Sequence, residues 1–257
     1  MSSVTIGFLG QCHTVGYPGV PPDAAFPRIC RQAIQARRPA TRVRLFVKEY
    51  YHPSELPDAV SDALGRDPRV IVIEVVGWLT FRGREAIDLS TLPAGVRSAY
   101  QRVRHLRQMS RLMLAGIPKG PDLVHAVHKR SATWARQVLG PLVTRYPRSS
   151  VDDYEHFVAQ ALRLLKDRPD VDVVVQGPSA PNLDLDVRSF PADALERYKA
   201  VAEMARRVSE SQGVLYVDRW GTSGPGFFCP GKARLSAQGH SVWGQLLAAE
   251  LLSAGLV

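Results

Sequence analysis

Hydrophobic positions along the chain alternate between the period of strands and the period of helices. Val4-Thr-Ile-Gly-Phe-Leu9 is a short apolar run closed by Gly10 and predicts a buried strand. A loop rich in Gly and Pro follows (Gly16, Pro18, Gly19, Pro21, Pro22), then a helix over about 26–38. Residues 43–47 alternate as a second strand, and 57–65 read as a short helix. The continuous β-branched run at 70–76 is that of a strand covered on both faces. Residues 151–166 carry Phe157, Ala161, Leu164 and Leu165 on one helical stripe. A fourth strand is predicted at 171–176, a long helix at 193–212 and a fifth strand at 214–217. A closing helix spans 236–254, with Ser236 in place as N-cap.

Strands and helices in alternation predict a parallel, doubly wound sheet: a flavodoxin-like three-layer α/β/α sandwich of five strands. Ligands of such sheets sit beyond the carboxyl ends of the strands. That rule selects the loops at 10–16, 48–52, 76–81, 177–182 and 218–234. The alternation breaks once, between strands three and four, where helical patterns at 96–114 and about 122–139 are separated by Gly116, Pro118, Gly120 and Pro121. The chain is read as a single domain over 1–257 with a basic helical insertion at about 84–148. No internal repeat or low-complexity segment appears.

Composition narrows the class without changing the architecture. The 257 residues are 45% hydrophobic and 22% charged, as in ordinary globular domains, and the net charge is +9. Eleven basic residues and one acid, Asp122, lie between Arg97 and Arg148, so the basicity is regional. It is either a solvated face or a surface that steers an acidic partner or anionic ligand. Three cysteines, Cys12, Cys30 and Cys229, are too few and scattered for a disulfide scaffold or a four-ligand zinc module. The N-terminal residues lack a signal-peptide pattern and no apolar run spans a bilayer, so a cytoplasmic protein with reduced thiols is expected. Gly7 and Gly10 do not complete a dinucleotide fingerprint, and no cofactor is expected. Nucleic acid is not the expected partner, because the basic segment holds Tyr100, Trp134 and Tyr146 without a recognisable module.

Four blocks carry a family likeness: Ile6-Gly-Phe-Leu-Gly-Gln-Cys-His-Thr-Val-Gly16, Val70-Ile-Val-Ile-Glu-Val-Val-Gly-Trp78, residues 197–218, and Leu235-Ser-Ala-Gln-Gly-His240. In order and placement they resemble the blocks of the SGNH/GDSL hydrolase superfamily, over roughly 4–83 and 149–257. The first looks like that family's Gly-Asp-Ser-Leu motif, and the second sits where it has Gly-x-Asn-Asp. The resemblance implies a hydrolase or acyltransferase fold with the site at the strand tips. It also locates the departures. The family's nucleophilic serine falls on Cys12 and the aspartate before it on Gln11. Its second-block glycine has no counterpart in Lys48-Glu-Tyr-Tyr-His52. Its asparagine falls on or near Trp78, and its Asp-x-x-His on Gly231-Lys-Ala-Arg234. Losing one oxyanion donor costs roughly 10²–10³ in rate. An ordinary serine esterase is therefore not expected.

The residues at these places define the expected site. Cys12 is either a nucleophile, since a thiol needs only a cation or helix terminus to ionise, or a small filler. His13, adjacent in sequence, either points away from Cys12 or acts as base or ligand toward a substrate in the mouth of the site. Gln11, Glu49, Trp78, Lys232 and Arg234 are expected to contact substrate, the last two as fixed cations that clamp carboxylate, phosphate or sulfate. Glu74, an acid inside an apolar strand, either pairs with an arginine or works as a raised-pKa acid/base. Asp218 is read as capping a turn and His240 as structural. His105, His125 and His128 belong to the basic face, and a metal held by Cys12, His13 and Cys229 is disfavoured by the spacing. The function expected is a divergent SGNH-like enzyme of small-molecule, specialised-metabolite biosynthesis. Its substrate would be anionic or carrier-bound. It would act by cysteine-dependent acyl transfer or hydrolysis, or by displacing an anionic leaving group. The rival is an inactive binding subunit that captures a ligand or docks an acidic partner through the basic segment.

Overall fold

The computed structural model describes residues 2–16, 20, 22–80, 84–87, 143–146, 149–180, 193–224, 226–229 and 235–257. The chain divides into two compact units. One is Met1–Gly16, Pro22–Arg82 and Arg148–Val257; the other is Tyr17–Pro21 with Gly83–Pro147.

The first unit is the α/β sandwich. Its strands are β1 (Ser2–Gly10), β2 (Thr41–Glu49), β3 (Val70–Glu74), β6 (Asp172–Gln176) and β7 (Leu215–Val217). They pair in the order β2-β1-β3-β6-β7, parallel throughout. The order doubles back at β1 and β3, which makes the crevice at their carboxyl ends the topological switch point. The helices of this unit are α1 (Cys12–Val15), α2 (Phe26–Arg37), α3 (Leu56–Leu64), α4 (Val151–Lys166), α5 (Ala194–Gln212) and α6 (Ala237–Ser253).

Because side chains alternate along a strand, β3 feeds two cores at once. Val70 and Val72 join Ile6, Phe8, Val174 and Val217 on the face covered by α2 and α6, with Phe26, Ile34, Trp243 and Leu247. Ile71 and Ile73 join Leu9 and Val175 on the face covered by α3, α4 and α5, with Val60, Tyr154, Val158, Val201 and Met204. The uninterrupted β-branched run is thus the mark of a strand buried on both sides. The sandwich and its parallel five-stranded sheet are the architecture expected.

The second unit holds β4 (Arg84–Ile87) and β5 (Val143–Tyr146), an antiparallel pair joining the two ends of the predicted insertion. The ladder was not foreseen; the helical patterns at 96–114 and 122–139 lie outside the described residues. Among the described residues no helix is long and apolar enough to cross a membrane.

Candidate functional site

Register sets one layer of residues across the carboxyl edge of the sheet: Glu49 of β2 opposite Gly10 of β1, and Glu74 of β3 opposite Gln176 of β6. Val70, Val72 and Glu74 share a parity, so Glu74 faces the α2/α6 side, where it ends an apolar column with a carboxylate that is only 2% exposed. Bare burial of that charge would be prohibitive, and four neighbours compensate it. Its Oε2 accepts from the Gln11 N–H at 3.3 Å and from the Thr14 hydroxyl at 2.8 Å. Its Oε1 accepts from Arg219 Nη1 at 3.1 Å and lies 3.8 Å from His13 Nδ1.

Gly10 makes this approach sterically possible. A Cβ there would stand 2.2 Å from Thr14 Oγ1 and 2.4 Å from Glu74 Oε2. Burial presses the Glu74 carboxyl toward its neutral form, but the His13 ring, the Arg219 charge and the Thr14 hydroxyl outweigh it and hold the group at about 2.

Arg219 is the partner that the sequence left unnamed. It follows the β7 tip and is 1% exposed. Its Nε donates to the Gly177 carbonyl and its guanidinium lies 3.7 Å over the Trp243 ring of α6. Burial lowers the Arg219 pKa, and the Glu74 charge opposes that fall. Removing one member of such a pair typically costs about 3–5 kcal/mol, because the other is left buried and uncompensated. Trp243 also meets His13 edge-on, with ring centroids 5.8 Å apart, and His13 in turn lies 6.2 Å from His240. Burial and the neighbouring His13 push the His240 imidazole down to about 3. It is therefore neutral, with Nδ1 accepting from the Phe26 N–H at 3.2 Å.

On the other face a hydroxyl relay fixes the turn after β3. The Val76 N–H donates to the Tyr154 hydroxyl at 2.8 Å, Tyr154 donates to Tyr50 at 2.8 Å, and Tyr50 donates to the Glu74 carbonyl. Every group in the chain has one partner in the right sense. Burial raises both phenol pKa values.

Amide donors at the β2 tip are consumed internally: Tyr50 N–H donates to the Gly10 carbonyl and Tyr51 N–H to the Glu55 carboxylate, both at 2.9 Å. The two residues that follow β2 therefore offer no free backbone donor to a developing oxyanion.

The structure brings several expected residues to this edge. Cys12 opens α1 directly after β1, at the switch point. His13 is packed inward, 8% exposed, against Glu74 and Trp243. Gln11 is 1% exposed, and its amide oxygen and nitrogen have no hydrogen-bond partner. Glu49 ends β2 half-buried, its Oε1 likewise without one. Gln176, not singled out from sequence, is fully buried with both amide atoms unpartnered. Its place in a β-branched run was the signal that could have found it. Trp78 lies in the turn Gly77–Thr80 after β3. Lys232 and Arg234 lie outside the described residues. Asp218 caps its turn, Oδ1 accepting from the Trp220 N–H at 2.8 Å. Among the described residues no three His, Cys, Asp or Glu side chains are grouped to hold a metal.

No family model matches the chain, and no curated protein matches it in sequence. Solved structures do match. A candidate GDSL-like lipase from Parabacteroides merdae aligns over 100% of this chain and 97% of its own, with TM-score 0.58 and 11% identity. The lipase/acylhydrolase from Enterococcus faecalis aligns over 98% and 96%, with TM-score 0.56 and 12% identity. Est24, a carbohydrate acetylesterase from Sinorhizobium meliloti, aligns over 98% and 99%, with TM-score 0.51 and 11% identity. The parallel sheet, its switch point and these superpositions agree: the chain has the SGNH/GDSL fold.

Proposed function

We propose that the chain is an enzyme of the hydrolase and acyltransferase kind in which Cys12 replaces the usual serine and the substrate is small and anionic or carrier-bound. The observation that carries this reading is the placement of Cys12 at the switch point, on a turn whose backbone is held by the buried Glu74 carboxylate. The Cys12 thiolate attacks the acyl carbon, the leaving group departs with the bonding electron pair, and a thioester remains. Water or an acceptor nucleophile then releases the acyl group and restores the thiol. Lys232 and Arg234 hold the anionic part of the substrate, Trp78 walls the pocket, and Gln11 and Glu49 supply polar contacts. His13 orients the Cys12 turn from beneath. With the Tyr50 and Tyr51 amides engaged, the fixed cations provide most of the charge stabilisation in the transition state.

The engaged amides and the inward His13 also favour a second reading, a binding subunit that keeps the cleft without the chemistry. Intact-mass spectrometry of wild type and Cys12→Ala after exposure to activated acyl esters and a mild thiol alkylator separates the two. Burial pushes the Cys30 thiol up to about 12, so Cys30 stays silent in the folded protein. One fast adduct, lost in Cys12→Ala, is the expected result. Absence of an adduct, or labelling no faster than that of Cys229, overturns the enzyme and leaves the binding subunit.

A further inference from the structure

Resting on that reading, we infer that Glu74 and Arg219 form a positioning device for the Cys12 turn, a buried ion pair that fixes the reactive loop to the rest of the sheet edge. Here Oε2 is given wholly to the turn, taking the Gln11 N–H on one side of Cys12 and the Thr14 hydroxyl on the other. The turn is closed by Thr14 N–H donating to the Gln11 carbonyl at 2.8 Å, so residues 11–14 are held as a unit.

Oε1 transmits the restraint outward to Arg219, which is itself tied to the Gly177 carbonyl after β6 and laid on Trp243 of α6. One carboxylate on β3 thereby links the tips of β1, β6 and β7 and the closing helix. Gly10 contributes by its missing side chain, since any Cβ would separate Glu74 from Thr14. Reactive groups must be held within a fraction of an ångström of productive geometry, and buried charge-assisted hydrogen bonds are a means of doing so. Neither Glu74 nor Arg219 is a catalytic residue in this scheme; they act through the backbone that carries Cys12.

Hydrogen exchange of the folded protein tests the device without depending on the chemistry of Cys12. Glu74→Gln keeps the shape and removes the charge. Thr14→Val removes one of the two turn contacts and leaves the ion pair intact, so it remains informative if Glu74→Gln does not fold. In Thr14→Val the peptide over 9–16 is expected to exchange at least tenfold faster while peptides over α4 and α5 are unchanged, and in Glu74→Gln the acceleration at 9–16 is expected to exceed that at α4 and α5 at least tenfold. Cys12 alkylation is expected to slow, and its pH profile to change, relative to Cys229 in the same molecule. Unchanged protection at 9–16, or protection lost evenly along the chain, would overturn the device and leave the pair as a core support. If 9–16 loosens but wild-type Cys12 never labels selectively, the device stands and the cysteine reading falls. If Cys12 labels selectively in wild type and both variants, with 9–16 still protected, the cysteine reading stands and the device falls.

Discussion

His240 shows how a single residue can carry stability with a definite sign in pH. Its ring is buried against Phe26 and His13, accepts the Phe26 N–H, and is held at about 3 against an ordinary 6.5. The unfolded chain therefore binds a proton near pH 6.5 that the folded chain refuses until about 3. The stability that His240 contributes is fully present above pH 6.5 and is lost as pH falls, at up to about 1.4 kcal/mol per unit. Glu74 acts in the same direction only below its ordinary value of 4.5, so the interval from pH 6.5 to 5 isolates the histidine. Urea unfolding at pH 7 and pH 5 should show a fall of about 1–2 kcal/mol in wild type. In His240→Asn, whose side-chain oxygen can still accept the Phe26 N–H, the fall should shrink to a few tenths. Parallel losses in both proteins would mean that another group sets the slope. The structural role expected of His240 from sequence agrees with this geometry. Its neutral state was not legible, because it depends on packing against Phe26, 214 positions away.

At the scale of elements, local patterns gave most of the answer. The stripe over 151–166 located α4, and the structure adds a capping box at its start that the stripe did not name: the Ser150 hydroxyl accepts from the Asp153 N–H and the Asp153 carboxylate accepts from the Ser150 N–H, both at 2.9 Å. The adjoining Ser149 is anchored as well, its hydroxyl 2.9 Å from His52 Nε2. Ser150→Ala should lower the unfolding free energy by about 1 kcal/mol, read as a shift in the urea midpoint at constant slope. No shift would mean that tertiary packing of Tyr154, Val158 and Leu162 alone holds the helix start. Segments such as 151–166 and 26–37 were legible because apolar stripe and chain punctuation agree there. The turn of α1 was not, since four residues carry no period. Nor was the Glu74–Arg219 pair: a lone acid in a β-branched run signals that a partner exists, but only the sheet order β1-β3-β6-β7 brings residue 219 to residue 74. The same holds for Tyr50 and Tyr154, which meet across two faces of packed elements rather than along any helix or strand.

For the whole molecule the governing quantity is charge. Eleven basic residues and one acid between Arg97 and Arg148 account for the net +9, the remainder being close to neutral. A run of positive charge of this kind is expected to attract acidic partners, and that attraction weakens as salt shortens the Debye length, about 10 Å at 0.1 M. A solvated face needs no partner and has no reason to prefer one polyanion geometry. Poly-glutamate peptide serves as a probe of defined chemistry for an acidic carrier or partner. Its binding to wild type should weaken steeply with ionic strength and should fall at least tenfold when Arg102, Arg104 and Arg107 are reversed to Glu, while Cys12→Ala leaves it unchanged. Retention of binding in the charge-reversed protein would locate the attraction elsewhere and reduce the segment to a solubility feature. If affinity for the peptide and the rate of Cys12 modification by an acyl group carried on an acidic peptide fall together in the reversed protein, the basic segment delivers substrate to the cysteine. If affinity falls while the modification rate by a small free acyl ester is unaltered, capture and chemistry are separate properties of the chain.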